Sequence, residues 1–531
     1  MKKYTFLLLL FFSIVLTGCC ILRDGQFSSG EISPIDYGLL EAKTGIDRYW
    51  VLYNTHQEAV TSGKKVNYKG IKDIEIEIPT DAKSIPLLHD NDFSGVEIKV
   101  LNNGTNINLF TFVRTPVQIS VNKSDIDNGV FDNYPHLNKG KVLLVIEDSK
   151  PWVENRQGYS YGHTRKDILL LNNGRAMNQT IMPYNNDASM PDCSYYYDAA
   201  FSLSNITLTR ETGSTYKTFL FYIKGFNNVH LEGISINTPE SDLVADAVMR
   251  IYDCTNVSIK DISINGTYSR SDYSGYAFTL NNIWSLYVNN LKVKANWSAF
   301  GTNNVQSVII ENSNTNTFDI HCYGRDVEFR DVNFSGRFVQ LTSVFGDVKF
   351  YNCSFTDARI LTNGISYNAY VGYDLFIENC TFNAIPGKRI VFDFGQLDNN
   401  INSRPELNQR CLPNIFIKNL TINVLEEISE VYLMFFRTSG EFTRNIDYMS
   451  TLVLDGVTYN YNSNIKTPAS LYISNVPLQI DSPVEITLKD IDLIGNSTVN
   501  KQGRGRVLSN LQLKSPKSVM HTSNIRAQSI D

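Results

Sequence analysis

From about residue 200 to 495 the chain repeats one short pattern, in which two apolar stretches of alternating character are joined by a single small polar residue. It is clearest in Val229-His-Leu-Glu-Gly-Ile-Ser-Ile236, Val257-Ser-Ile-Lys-Asp-Ile-Ser-Ile264, Val327-Glu-Phe-Arg-Asp-Val-Asn-Phe334, Val348-Lys-Phe-Tyr-Asn-Cys-Ser-Phe355, Leu375-Phe-Ile-Glu-Asn-Cys-Thr-Phe382 and Ile415-Phe-Ile-Lys-Asn-Leu-Thr-Ile422. Weaker copies begin at Leu286, Val308, Leu452 and Ile486. Alternation with a period of two makes each half a strand with one face buried. The joining residue is Gly233, Asp261, Asn290, Asn312, Asp331, Asn352, Asn379, Asn419, Gly456 or Asp490. These are the residue types that enter the left-handed backbone region most easily. One of them bends the strand sharply and lets the next strand keep its apolar side inward. The copies start at 229, 257, 286, 308, 327, 348, 375, 415, 452 and 486, so their spacing runs from 19 to 40 residues. A closed blade or a helical repeat would hold its period, whereas stacked strands joined by variable loops would not.

The pattern resembles the right-handed parallel β-helix of the pectin-lyase-like superfamily. That implies an all-β solenoid with three short strands per coil, its body at residues 201–495. Phe334, Phe355 and Phe382 then stack in register inside it, and Asn352 and Asn379 belong to a polar ladder at the bend. Upstream, Asp36-Tyr-Gly38 precedes an expected helix near Asp47–Ser62, followed by strands at Lys65-Val-Asn-Tyr68 and Ile74–Ile78. This resembles the helical cap that closes the open end of such coils, which a solenoid needs to cover its terminal core and edges. Residues 34–200 are read as this cap and the early coils with insertions, with strands at Val96–Val100 and Val142–Ile146. Residues 496–531 are read as a frayed tail or cap.

Residues 1–19 read as an export signal, with Lys2 and Lys3 ahead of the apolar run Tyr4–Val15. That run is short for a membrane span. Leu16-Thr17-Gly18-Cys19 resembles the bacterial lipobox, which implies cleavage before Cys19, lipidation of that cysteine, a linker over 20–33 and a durable anchor. The expectation is an exported protein held at the bacterial cell envelope, at the outer membrane, with the membrane face left open.

Length and composition narrow the rest. The 531 residues are 42% hydrophobic and include 29 Tyr and 29 Phe, which excludes a disordered chain. A net charge of -6, from 48 Lys and Arg against 54 Asp and Glu, argues against broad attraction to nucleic acid. Of eight cysteines, Cys19 is assigned to lipid, leaving an odd seven without metal spacing. Cys353 and Cys380 fall at equivalent repeat positions and are expected as stacked buried thiols.

No Walker loop, HExxH, GxSxG or dinucleotide fingerprint is present. The four-part pattern of the polygalacturonase-like hydrolases and the acidic cluster of calcium-dependent pectate lyases are also missing. The resemblance therefore transfers a fold and a habit, that of binding glycan along the first strand of each coil, but no mechanism. On that strand alternation places Tyr222, Lys224, Arg250, Tyr252 and Gln340 outward as candidate substrate-binding residues, since aromatics and cations together suit acidic sugars. The densest chemical group is Asp319-Ile-His321-Cys-Tyr323-Gly-Arg325, in which Asp319, His321 and Tyr323 are read as outward. For β-elimination from a uronate, His321 or Tyr323 would take the C5 proton, Asp319 would orient the imidazole, and Arg325 would stabilise the enolate-like charge. Hydrolysis requires two carboxylates, with Asp393 a distant second to Asp319. A further aromatic and basic stretch offers Arg156, Tyr161 and His163 as a wall of the groove.

The expected function is thus that of a lipid-anchored, monomeric, carbohydrate-active β-helix acting on an acidic polysaccharide, as a lyase ahead of a glycoside hydrolase. The alternative is a non-catalytic glycan-binding or structural surface β-helix. No cofactor or metal site is implied by the motifs, and a divalent metal is left open. No nucleic-acid partner is expected.

Overall fold

The computed structural model describes residues 30–526 except 104–106, 154–162, 182, 185–190, 211–219, 238–246, 266–275, 295–297, 321–322, 337, 343, 357, 363–371, 386–389, 395–412, 427, 429, 437–449, 462–469, 475–477, 481–483, 493–506, 509–510 and 514–516. Within strands, the side chains of residues 102–103, 149–153, 163, 247, 394, 436, 459, 461, 470–474, 478–480, 507–508, 511–513 and 526 are likewise not described. Among the described residues no helix is long and apolar enough to cross a membrane.

The repeat folds as its alternation requires. Each coil supplies a first strand, a corner, a second strand, a bend and a third strand, and each strand pairs in parallel with its counterpart one coil away. All ten bend residues expected to be left-handed have positive φ, from 51° at Asn312 and Asp490 to 80° at Gly456. Their side chains form a ladder between coils. Asn290 donates to Asp261 at 2.6 Å, Asn352 to Asp331 at 3.2 Å and Asn419 to Asn379 at 2.9 Å. Inside, Phe334 stacks on Phe355 with centroids 5.2 Å apart, and Phe382 pairs in register with Phe355. Cys353 and Cys380 are buried free thiols, the Cys353 amide donating to the Cys380 sulfur at 3.4 Å.

Phe201-Ser-Leu-Ser-Asn205-Ile-Thr-Leu208 is a further full copy at the start of the expected body, with Asn205 at φ 56°. Two boundaries differ from the expectation. The pattern ends later. Val519–Arg526 pairs with Glu485–Asp492 and bends at Asn524, so the tail expected to fray contributes a coil. Finally, residues 117–197 are not early coils. They leave the solenoid after Phe110–Val113 and form a five-stranded sheet, antiparallel throughout, whose longest strands are Lys141–Val153 and His163–Asn172. Val142–Ile146 is a strand, as expected, but one with apolar residues on both faces. Val142, Leu144 and Ile146 pack under Phe131 and Tyr184, while Leu143 and Val145 pack with Ile168 and Tyr196 toward Trp284 of the solenoid.

The cap is the helix Gly45–Ser62. Thr44 accepts from the Asp47 amide at 3.1 Å while Asp47 accepts from the Thr44 amide at 3.0 Å, a reciprocal box that fixes the start. Gly63, at φ 70°, ends it. The buried face carries Tyr49, Leu52 and His56 onto the first coils. His56 contacts the Tyr68 hydroxyl at 2.6 Å and the Pro86 carbonyl at 3.0 Å, and stacks against Phe93. Burial drops its imidazole to about 4. An unfolded histidine titrates near 6.5. The neutral ring therefore supports the fold fully above about pH 6.5, and that support is lost as pH falls toward about 4, a change of about 3 kcal/mol. Unfolding free energies from urea titrations should fall between pH 7 and 4 by about 3 kcal/mol more in wild type than in His56→Gln; equal falls would remove His56 as a cause.

Candidate functional site

The first strands of successive coils stack into one face. Their inward column runs Phe110, Phe221, Met249, Phe278, Phe300, Phe318 and Val339, all buried. Parity then sets two outward columns. One runs Tyr222, Arg250, Thr279, Gly301, Asp319, Gln340, Leu361 and Asp393. The other contains Lys224, Tyr252, Asn281 and Asn303. The structure thus brings Tyr222, Lys224, Arg250 and Tyr252 together on two adjacent coils, all half-buried. The Arg250 guanidinium lies 5.4 Å from the Tyr222 ring centre and 5.0 Å from that of Tyr252, and the two rings meet edge to face at 5.8 Å. Lys224 pairs with Asp253 at 3.3 Å. Burial would discharge Lys224, but the Asp253 carboxylate outweighs it and holds the ammonium above its ordinary value. Burial in turn lifts Asp253 above the usual carboxylate range, against the pull of Lys224.

The corner beside this cluster seats the inserted sheet. Asp253, Asn282, Asn304 and Tyr323 each sit there with positive φ, Tyr323 at 84°. Asn282 donates to Asp253 at 3.0 Å and to the Asp167 carbonyl at 3.3 Å, and Asn304 donates to the Lys166 carbonyl. Tyr323 donates its hydroxyl to the Lys166 carbonyl at 2.8 Å and accepts from the Lys166 amide. Arg325 donates to the Ile181 carbonyl at 3.3 Å and to that of Thr180 at 3.4 Å. Sequence reasoning missed Asn282 and Asn304. The signal was there, because both end an Asn-Asn pair in register with Tyr252-Asp253.

The expected catalytic group is therefore divided. Tyr323, read as exposed, is 2% accessible and holds the insertion, as does Arg325. Asp319 faces outward by parity but is fully buried: the Tyr276 ring lies across the bare Gly301 and its hydroxyl donates to Asp319 at 3.0 Å. Gln340, one coil on, is 4% accessible. Asp393 is also fully buried and pairs with Arg359 at 2.9 Å. Register places Asp319 and Asp393 three coil steps apart, or about 14 Å at strand spacing. Glycosidase carboxylate pairs lie about 5 to 9.5 Å apart, so these two do not form such a pair. His321, Arg156, Tyr161 and Cys19 lie outside the described residues, and of His163 only the backbone is described, at the start of a strand. Among the described residues, no three His, Cys, Asp or Glu side chains converge on a metal position.

Fold and register together define a right-handed parallel β-helix. Among solved structures the chain is similar to the tailspike protein gp49 from Pseudomonas phage LKA1, with a TM-score of 0.55 at 14% identity over 93% of this chain and 83% of that one. The gp54 tailspike of Acinetobacter baumannii bacteriophage AP22, solved with a capsular saccharide, gives 0.44 at 11% identity over 84% and 77%. The gp61 tailspike of Pseudomonas phage phi297 gives 0.44 at 12% over 85% and 82%. At such identities the likeness is one of fold. No protein-family model matches the sequence, and no curated protein does.

Proposed function

We propose that this is a lipid-anchored, carbohydrate-active β-helix that holds an acidic polysaccharide across the first-strand face, beside the inserted sheet. The supporting observation is the Tyr222–Arg250–Tyr252 cluster with Lys224 at its flank. A guanidinium packed against two rings that also touch each other loses little freedom on binding a carboxylate, and half-buried tyrosines give sugar rings an apolar platform. Thr111 and the exposed Val113 continue the surface one coil earlier. The experiment is affinity electrophoresis of the full chain in gels containing polygalacturonate or neutral dextran. Retardation by polygalacturonate alone is expected, and Arg250→Ala should weaken it at least about tenfold, the size of a desolvated cation contact. Equal retardation by dextran, or an unchanged Arg250→Ala, would rule the reading out.

Cleavage is the finer part of the proposal. β-Elimination with His321 as the base rests on its sequence position two residues beyond Asp319, and is favoured over hydrolysis by the separation of Asp319 from Asp393. Ultraviolet-absorbing unsaturated ends should form from polygalacturonate and vanish in His321→Ala with binding kept. Acylation at Cys19 belongs to the same proposal and is checked by palmitate labelling of wild type against Cys19→Ala.

A further inference from the structure

On the other side of the corner from the tyrosine cluster lies a cavity of about 630 Å³. The loop that ends the cap helix, the first coil and the second-strand face border it, and it opens to solvent. Its volume falls within the range of small-molecule sites. Most of the lining is apolar, supplied in part by Phe201 and Val229. Polar groups enter from three directions. Ser202, His230 and Ser258 stand in one outward column on successive coils. His89 donates from Nδ1 to the Ala200 carbonyl at 2.9 Å, because a carbonyl can only accept. In the neutral ring that leaves Nε2 as an acceptor. Lys64 and Lys65 close the third side.

Charge accounting selects the ligand. Asp90 is neutralised by Lys65 at 2.6 Å and accepts from Ser202, also at 2.6 Å. Glu232 meets His230 Nε2 at 2.9 Å and is neutralised by Lys260 at 2.8 Å. Glu31 and Asp92 also act on Lys65, and Lys64, with no ion-pair partner among the described residues, offers the one lysine ammonium on the lining without a direct counter-ion. An apolar floor, hydroxyl and imidazole partners and a single ammonium match the C–H face, the hydroxyls and the carboxylate of a uronic acid. We propose that this cavity is a second saccharide site, taking a short carboxylated oligosaccharide with its carboxylate on Lys64. The inference stands on the cavity lining and does not rest on the first-strand reading.

Titration calorimetry of the full chain in detergent with tetragalacturonate tests it. Two classes of site are expected. Lys64→Glu, and independently Ser258→Trp, should weaken one class at least tenfold, Lys64→Arg should retain it, and Arg250→Ala should leave it intact. Loss of binding in Lys64→Glu with Arg250→Ala silent would support the cavity and remove the first-strand site. Unaltered titrations in Lys64→Glu and Ser258→Trp, no heat in Arg250→Ala, or equal affinity of the cavity for maltotetraose or inorganic phosphate would each overturn the proposal.

Discussion

Replacing Asp167 with alanine is expected to destabilise the inserted sheet by about 3–5 kcal/mol, the size of effect seen when one partner of a buried ion pair is removed. Asp167 and Arg165 are both essentially inaccessible and meet at 2.8 Å. The same carboxylate accepts from the Tyr184 hydroxyl at 2.7 Å and from the Ile181 amide at 3.0 Å, while the Arg165 guanidinium lies 3.6 Å from the Tyr184 ring centre. Alanine would leave a buried guanidinium without its counter-charge and release the 180–184 stretch. The Thr180 and Ile181 carbonyls on that stretch receive Arg325, so the insertion should loosen from the corner as well. Hydrogen exchange should accelerate in peptides from 117–197 and stay unchanged in those from the coils between 327 and 355. Asp167→Asn, which keeps an acceptor but not the charge, should show a smaller loss. Unchanged protection across 117–197 in the alanine variant would show that the cluster does not hold the insertion.

The solenoid was legible because its grammar is local. Alternation gives strand direction, and an Asn, Asp or Gly at the bend gives the left-handed turn; every such bend expected from sequence has positive φ. The Val519–Arg526 coil escaped notice because, among the described residues, only one of its sides meets another coil. Val519 and Met520 remain 46% and 38% exposed, and the apolar alternation that marks inner coils is weak there. Val142–Ile146 carried the opposite signal. Five apolar residues in a row mean burial on both faces, which a coil strand with one outer face does not have, and the run belongs to the insertion sandwiched between its own core and Trp284.

The candidate site was legible only in part, for a related reason. Parity tells which way a side chain points, and it set Tyr222, Lys224, Arg250, Tyr252 and Asp319 on the correct face. It does not tell what arrives from elsewhere to cover that face. Tyr276 reaches over Gly301 to Asp319, and Lys166, distant in sequence, arrives on Tyr323. Tyr323 also lies beyond the strand Phe318–Ile320, at a corner where φ is 84° and alternation has ended.

Interior aromatics should then matter far more than outward ones of the same type. Phe350 is fully buried, stacks on Phe329 at 4.8 Å and touches Phe355 at 5.5 Å and Phe334 at 6.1 Å. Phe350→Ala removes the ring shared by two coils and leaves a cavity bordered by three others, a loss expected at about 3–5 kcal/mol. Phe376 also stacks closely, on Phe416 at 4.9 Å, but on the outer side of the second strands. Truncating it forfeits a cross-strand contact without opening the core, and should cost less than about 1 kcal/mol. Because each coil meets only its neighbours, stability is close to a sum of local interfaces. The Phe350 variant should therefore unfold in two denaturant steps, with exchange fastest around 327–355, while Phe376→Ala keeps the wild-type profile. Equal losses in the two variants would contradict the assignment of inner and outer faces on which the proposed saccharide-binding surface depends.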